Sequence, residues 1–211
     1  LTQNRSAAVM QQRSEPHDSL DDFPTPPWAT RALCEALPIW NWPDRCATQT
    51  AREPAANRGH MVRPLREHFR EVEASDIHDY GAGFPQADYL FGPDPAPVNW
   101  TITNPPFRLA EQFITRALRT SRVGVAVIVR SAFLEGVGRH ERLFGPHRPA
   151  AVLQFTERVV MHKGKLSAKG STATAYCWIV WTTKPVAPPH TEFRWIAPCR
   201  KRLERPGDYP E

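Results

Sequence analysis

The chain has 211 residues and a mass of 23.9 kDa, enough for one sizeable core, whereas two independent domains would leave each half thin. A hydrophobic fraction of 41% and seven tryptophans suit a globular protein; no apolar run reaches the roughly 18 to 20 residues that span a bilayer, and four scattered cysteines without a C-x-x-C pair fit reduced thiols in a cytosol. A net charge of +5 and a pI of about 9.3, with arginine far outnumbering lysine, favour a polyanionic partner over an acidic protein or a neutral metabolite.

Residues 1–22 are polar without periodicity and are expected to form a flexible tail; the first twenty hold no apolar signal segment, and Leu1 suggests a trimmed start. Order is expected from Phe23. Pro24, Pro26 and Pro27 form a rigid turn, with Thr25 as N-cap of a helix from Trp28 to Leu37 that Pro38 stops. Short strands then alternate with helices, which predicts a mostly parallel sheet wrapped on both faces. The expected elements are a strand over 48–52, a helix over 60–70 and strands over 71–75 and 99–103. A helix over 109–119, a strand over 123–129, a helix over 138–144 and strands over 151–155 and 174–181 follow. Residues 82–98 read as a loop, and 185–211 as a proline-rich basic extension to a catalytic domain of 23–184, more like an edge strand and tail than a new domain.

The segment Thr103-Asn104-Pro105-Pro106-Phe107 closes an apolar strand and precedes a helix. In an open α/β sheet that position lies at the mouth of the ligand crevice. Two prolines hold the backbone extended and leave the Pro105 carbonyl free of neighbouring N–H competition. Asn104 and that carbonyl can each accept one N–H of a planar amino base while Phe107 stacks on its ring. Accepting both protons frees the nitrogen lone pair to attack an electrophilic methyl group, and no strong base is needed.

Asn104, Pro105, Pro106 and Phe107 match in full the catalytic motif of the class I S-adenosylmethionine-dependent N6-adenine DNA methyltransferases, and the chain resembles the small phage and prophage type of that family. Phe23-Pro24-Thr25-Pro26-Pro27-Trp28 looks like its upstream cofactor-contacting motif. Glu53-Pro54-Ala55-Ala56-Asn57-Arg58-Gly59-His60 looks like its strand-to-helix cofactor loop, with Asn57 where the family often has Gly. Asp76 and Ile77 fall where the ribose hydroxyls are bound, and Asp88 and Tyr89 where the cofactor adenine is contacted. The resemblance covers roughly 23–181 and implies a Rossmann-like seven-stranded sheet with one antiparallel strand, S-adenosylmethionine as cofactor, a flipped-out adenine in DNA as acceptor, and a cytoplasmic bacterial or phage-encoded enzyme.

These positions also have a physical reading. Small residues let a ligand approach the loop backbone; Glu53 suits an ammonium or sulfonium, and Asp76 a diol. Asn tolerates the left-handed conformation better than other non-glycine residues. The cationic stretch with Lys163, Lys165 and Lys169, with Arg158 before it, is expected to overhang the same crevice and to hold phosphates beside an extruded base. His60, His78 and His162 read as surface or structural, and no metal-ligand constellation is present. Little chain is left for a groove-reading element, so a short or degenerate target is expected. RNA adenine N6, RNA guanine N2 and cytosine N4 remain open as acceptors, as does a catalytically silent nucleic-acid binder with the same fold.

Overall fold

The computed structural model describes residues 21–37, 46–183 and 190–209. In chain order these form α1 (Pro27–Ala36), β1 (Thr50–Glu53), α2 (Val62–Arg66), β2 (Glu71–Ala74), β3 (Val98–Thr103) and α3 (Ala110–Thr120). Then come β4 (Ser121–Arg130), α4 (Val137–Arg139), β5 (Ala151–Phe155), β6 (Tyr176–Thr182), β7 (Glu192–Ile196) and α5 (Arg200–Leu203).

The seven strands make one sheet in the order β2-β1-β3-β4-β6-β5-β7. Neighbours pair in parallel except around β6, which runs antiparallel to both β4 and β5. β4 sits at the centre because its side chains are apolar on both faces, as a strand covered on both sides requires. Val125, Val127 and Val129 pack with Ile179, Trp181 and the α3 residues Ile114 and Ala117. Ala126 and Ile128 pack on the other face with Trp178, Val180 and the Trp28, Leu33 and Leu65 side chains of α1 and α2.

The beginning and end of the described chain are tied by Arg31, which is 3% exposed on α1. Its guanidinium donates to both Glu67 oxygens at 2.8 Å, to Asp208 at 2.7 and 2.9 Å and to the Leu203 carbonyl at 2.7 Å. The Arg31 hydrogen bond holds the Glu67 carboxyl below its usual range, and the same guanidinium holds Asp208 low against the cost of its burial. The extension expected beyond 184 therefore supplies the seventh strand, β7, and a helical turn beside α1.

Several boundaries differ from the sequence expectation. The helix expected over 60–70 is only Val62–Arg66; Pro64 brings no N–H, and residues 67–70 turn toward β2. The first strand begins at Thr50 and buries Arg52, whose charge is met by Glu73 at 2.7 Å and the Ala96 carbonyl at 2.5 Å, so a polar sequence can be an inner strand. The helix over 138–144 is one α turn running into a wider turn over His140–Phe144. Pro26, not Thr25, stands at the N-cap of α1, and no side chain caps it; the Thr25 hydroxyl is engaged elsewhere, as shown below. The N-terminal tail expected over 1–22 and the helix stop at Pro38 lie outside the described residues, except that Asp21 and Asp22 are packed against the body of the protein. No helix among the described residues is long and apolar enough to cross a membrane.

Candidate active site

From β1 the chain runs out to β2 and returns to place β3 on the other side of β1, so the strand order reverses between β1 and β3. A crevice outside the carboxyl ends of strands at such a reversal is where open α/β sheets hold ligands. A cavity of about 530 Å³ lies there, walled by the loop after β1, the end of β2, the 80–89 loop, the end of β3 and the segment before α1.

The loop after β1 is tightly wound. Asn57 stands at φ +49°, the only non-glycine residue with positive φ among those described. Its amide N–H donates to Asp76 Oδ2 at 2.8 Å, and Asp76 Oδ1 accepts the His78 N–H at 3.0 Å, so one carboxylate joins the loops after β1 and β2. Gly59, at φ +80°, leaves only 2.9 Å between an added Cβ and the Phe84 ring, so no side chain fits. At the root of the loop Glu53 is fully buried; its Oε1 accepts the Ala55 N–H at 2.9 Å, while Oε2 has no hydrogen-bond partner among the described residues. Burial pushes this carboxyl well above the usual range, outweighing the Ala55 N–H that pulls it down.

At the other end of the cavity the Asn104 side chain is oriented by its surroundings. Its Nδ2 donates to the Phe23 carbonyl at 2.9 Å and to Thr25 Oγ1 at 3.0 Å, with Met161 Sδ at 3.9 Å. A backbone carbonyl can only accept, so the NH₂ must face Phe23, and Oδ1 is left as an acceptor. Both NH₂ protons are spent within the protein. Next to it the Phe107 N–H donates to Asp21 Oδ2 at 2.7 Å, and the Phe107 ring lies 5.3 Å from that of Phe23 and 4.1 Å from the Arg130 guanidinium.

Of the residues singled out in the sequence, Phe23, Thr25, Pro54, Ala55, Asn57, Asp76, Ile77, Asp88, Tyr89, Asn104 and Pro106 line one cavity. Pro26, Trp28, Glu53, Gly59, Pro105 and Phe107 do not line it. Trp28 is in the core, its ring 5.5 Å from Phe155, because one helical turn carries it to the inner face of α1. Asp21, Tyr80, Met61, Arg108, Leu109 and Phe113 line the cavity without having been anticipated. Leu109 and Phe113 were discernible as an i, i+4 pair in the first turn after the Asn-Pro-Pro-Phe segment; the others carry no sequence signal. His60 also belongs to the wall rather than the surface: burial first, then Arg63 and Arg58, lower it from 6.5 to about 4, so it is neutral. Burial raises Tyr80 to about 12, and Arg58 lies 4.9 Å from its ring centre.

Arg158 is exposed three residues before Met161, which lies beside Asn104, and Lys163, Lys165 and Lys169 are exposed on the segment after it. The Gly164 N–H donates to the Asp22 carbonyl at 2.7 Å, while the Asp22 carboxylate accepts from Asn57 Nδ2 at 2.7 Å and Arg58 at 3.0 Å. Among the described residues no cluster of three or more His, Cys, Asp or Glu could hold a metal ion.

No protein-family model matches the chain, and no curated protein matches it in sequence. Solved structures do match in shape. A provisionally assigned class I S-adenosylmethionine-dependent methyltransferase of Listeria monocytogenes superposes with a TM-score of 0.66 at 10% identity, over 84% of this chain and 67% of that one. The methyltransferase subunit of a type I restriction-modification system from Streptococcus thermophilus gives 0.59 at 10% identity over 89% of this chain, which spans only half of that subunit's length (50%). A provisionally assigned RNA methyltransferase of Pyrococcus horikoshii gives 0.54 at 14% identity, over 80% and 91% of the two chains. With its seven-stranded sheet, single antiparallel strand and crevice between β1 and β3, the chain has the Rossmann-like class I methyltransferase fold.

Proposed function

We propose that this protein transfers a methyl group from S-adenosylmethionine to the N6 amino group of an adenine extruded from DNA. The observation that carries this reading is the fixed orientation of Asn104. With both its N–H protons given to Phe23 and Thr25, its Oδ1 can only accept, and an exocyclic amino group is the donor that matches it.

The cavity suits the cofactor on its own features. Its volume of about 530 Å³ falls within the range of small-molecule sites, and Asp21, Asp76 and Asp88 line it, suiting a molecule with a cationic centre, a diol and an amino-bearing base. Glu53, fully buried behind the cavity wall, braces the loop from below by accepting the Ala55 N–H. Asp76 would hold the ribose diol, and Ile77, Tyr89 and Phe113 would enclose the adenine. When bound, the cofactor supplies an electrophilic methyl group and leaves as S-adenosylhomocysteine.

The protein's own part is to present the acceptor nitrogen. Asn104 Oδ1 and the Pro105 carbonyl each take one N–H of the amino group, which withdraws its lone pair from the ring and aims it at the cavity. Pro105 and Pro106 keep the two acceptors at a fixed separation. The methylated nitrogen is strongly acidic, and its proton leaves to water. Arg158, exposed before Met161, and Lys163, Lys165 and Lys169, exposed after it, hold the phosphates of the polynucleotide whose base has been drawn out. DNA is favoured as the acceptor by the Phe23–Trp28 and Asn104–Phe107 resemblance, and the restriction-modification neighbour agrees with it.

The test is direct. The protein is incubated with labelled S-adenosylmethionine and, separately, unmethylated DNA and RNA, and each polymer is digested to nucleosides. Label in N6-methyldeoxyadenosine is the expected result. Label confined to ribonucleosides, to N4-methyldeoxycytidine or to no nucleoside at all would overturn it.

A further inference from the structure

We propose that Arg130 binds a phosphodiester of the nucleotide being modified, so that its anchor lies beside the base site itself and apart from the cationic 158–169 segment. The proposal rests on the adenine reading above.

Arg130 ends β4 where that strand lies beside the end of β3, with Thr103 opposite Val127. Its guanidinium carbon is 4.1 Å from the centre of the Phe107 ring and 6.0 Å from that of Phe23. Among the described residues its side chain makes no hydrogen bond or ion pair beside these ring contacts, and its Nε is buried without a partner. The other packed arginines are treated differently. Arg31, Arg52 and Arg116 each face a carboxylate, at 2.7, 2.7 and 3.3 Å.

A partly buried guanidinium without an anion is an unfinished arrangement, since a desolvated charge is tolerated when it is paired. Stacking on an aromatic ring uses the face of the guanidinium and leaves the N–H edge unspent. The backbone that carries it is rigid: Arg130 pairs with Tyr176 on β6, and the next residue, Ser131, donates to the Ala175 carbonyl at 2.9 Å and to Gln154 at 2.7 Å. A rigid cation at the acceptor end of the site, touching the ring expected to receive the base, calls for an anion that arrives with that base. Adenine carries none; its phosphodiester does, and guanidinium and phosphate match as a two-donor fork.

The experiment uses duplexes in which one strand carries a single adenine among G, C and T, taking a member that the wild-type protein methylates. Arg130→Gln is expected to raise KM for that duplex about tenfold, as one charge-assisted contact warrants, and to leave kcat within about threefold. S-adenosylhomocysteine affinity stays unchanged, which reports an intact fold, and Arg130→Lys recovers part of the loss. A neutral methylphosphonate at a phosphate flanking the adenine weakens wild type to the same degree and does not weaken Arg130→Gln further. A variant with unaltered or improved kcat/KM, or a methylphosphonate effect that multiplies with the substitution, overturns the proposal and leaves the adenine reading standing. A wild-type protein that binds S-adenosylhomocysteine yet methylates no duplex of the set defeats both.

Discussion

Thr25 lines the cavity and also fixes Asn104, and with the cofactor saturating it is the second role that Thr25→Val tests. The substitution exchanges a hydroxyl for a methyl of similar size at a side chain that is 2% exposed, so the packing of the segment is retained. What goes is the 3.0 Å bond from Asn104 Nδ2, while the 2.9 Å bond to the Phe23 carbonyl remains. Losing one neutral hydrogen bond and leaving a shielded N–H unpaired costs about 1 to 2 kcal/mol. If that falls on the orientation of Asn104 Oδ1, kcat drops by roughly 5- to 30-fold. Asn104→Ala, which removes the acceptor, should cost about 10²- to 10³-fold. The two losses must not add: with Asn104 gone, Thr25→Val has nothing left to position, and the double variant should match Asn104→Ala alone. Single-turnover rates with saturating S-adenosylmethionine, across the four proteins of this cycle, supply the numbers. A fully multiplicative double variant, or a Thr25→Val protein with wild-type kcat, would refute the positioning role.

Other outcomes follow from the same geometry. Arg31→Met leaves buried Asp208 without its cation, while Glu67 keeps Arg205 at 3.0 Å, and should cost about 3 to 5 kcal/mol in denaturant unfolding; a loss below about 1 kcal/mol would mean the cluster is incidental. His60, lowered from 6.5 to about 4 by burial and by Arg63 and Arg58, stays neutral in the fold while the unfolded chain takes up a proton. Its contribution is complete above pH 6.5 and is lost as the pH falls toward 4, by at most about 3 kcal/mol. His60→Gln should flatten the stability profile over that window, and identical slopes in the two proteins would contradict it. Asp76→Ala removes the proposed diol acceptor and the bridge between Asn57 and His78, so S-adenosylhomocysteine should bind roughly 10- to 100-fold more weakly by calorimetry, with saturated turnover less affected; unchanged affinity would move the ribose elsewhere. Replacing Lys163, Lys165 and Lys169 by Ala should reduce the log–log salt slope of DNA binding by about 0.9 per lost contact, and an unaltered slope would return that segment to ordinary solvated surface.

How far the sequence carried depended on whether a feature is local. The doubly covered strand β4 announces itself through an unbroken apolar run, and the Asn-Pro-Pro-Phe segment is legible because strand end, prolines and aromatic are contiguous. The left-handed turn at Asn57 was likewise a matter of one residue's own conformational tolerance. Thr25 misled because a hydroxyl before a helix ordinarily caps it, whereas here it serves a side chain 79 positions away. Asp21, Tyr80 and Met61 join the cavity wall only through the way the loops cross, and no periodicity encodes that. Arg130 stands one residue past the strand expected over 123–129, and its place over Phe107 depends on the register of β4 against β3. The edge strand expected after Trp181 is β7, where exposed Phe193 and Trp195 alternate with half-buried Glu192, Arg194 and Ile196, but the prolines around it hid its bounds.

The Arg31 cluster has a consequence for how the molecule is made. During synthesis α1 emerges early, but Asp208 lies 177 positions further on and is among the last described residues to leave the ribosome. Until then Arg31 can meet only Glu67, 36 positions on, and β5 has no β7 along its outer edge. Contacts of such long separation are slow to form, because the intervening loop must be closed before they contribute anything. The nascent chain can therefore collapse around β4 as it grows, whereas the outer edge of β5 and the Arg31–Asp208 bridge close only after residue 208 has emerged.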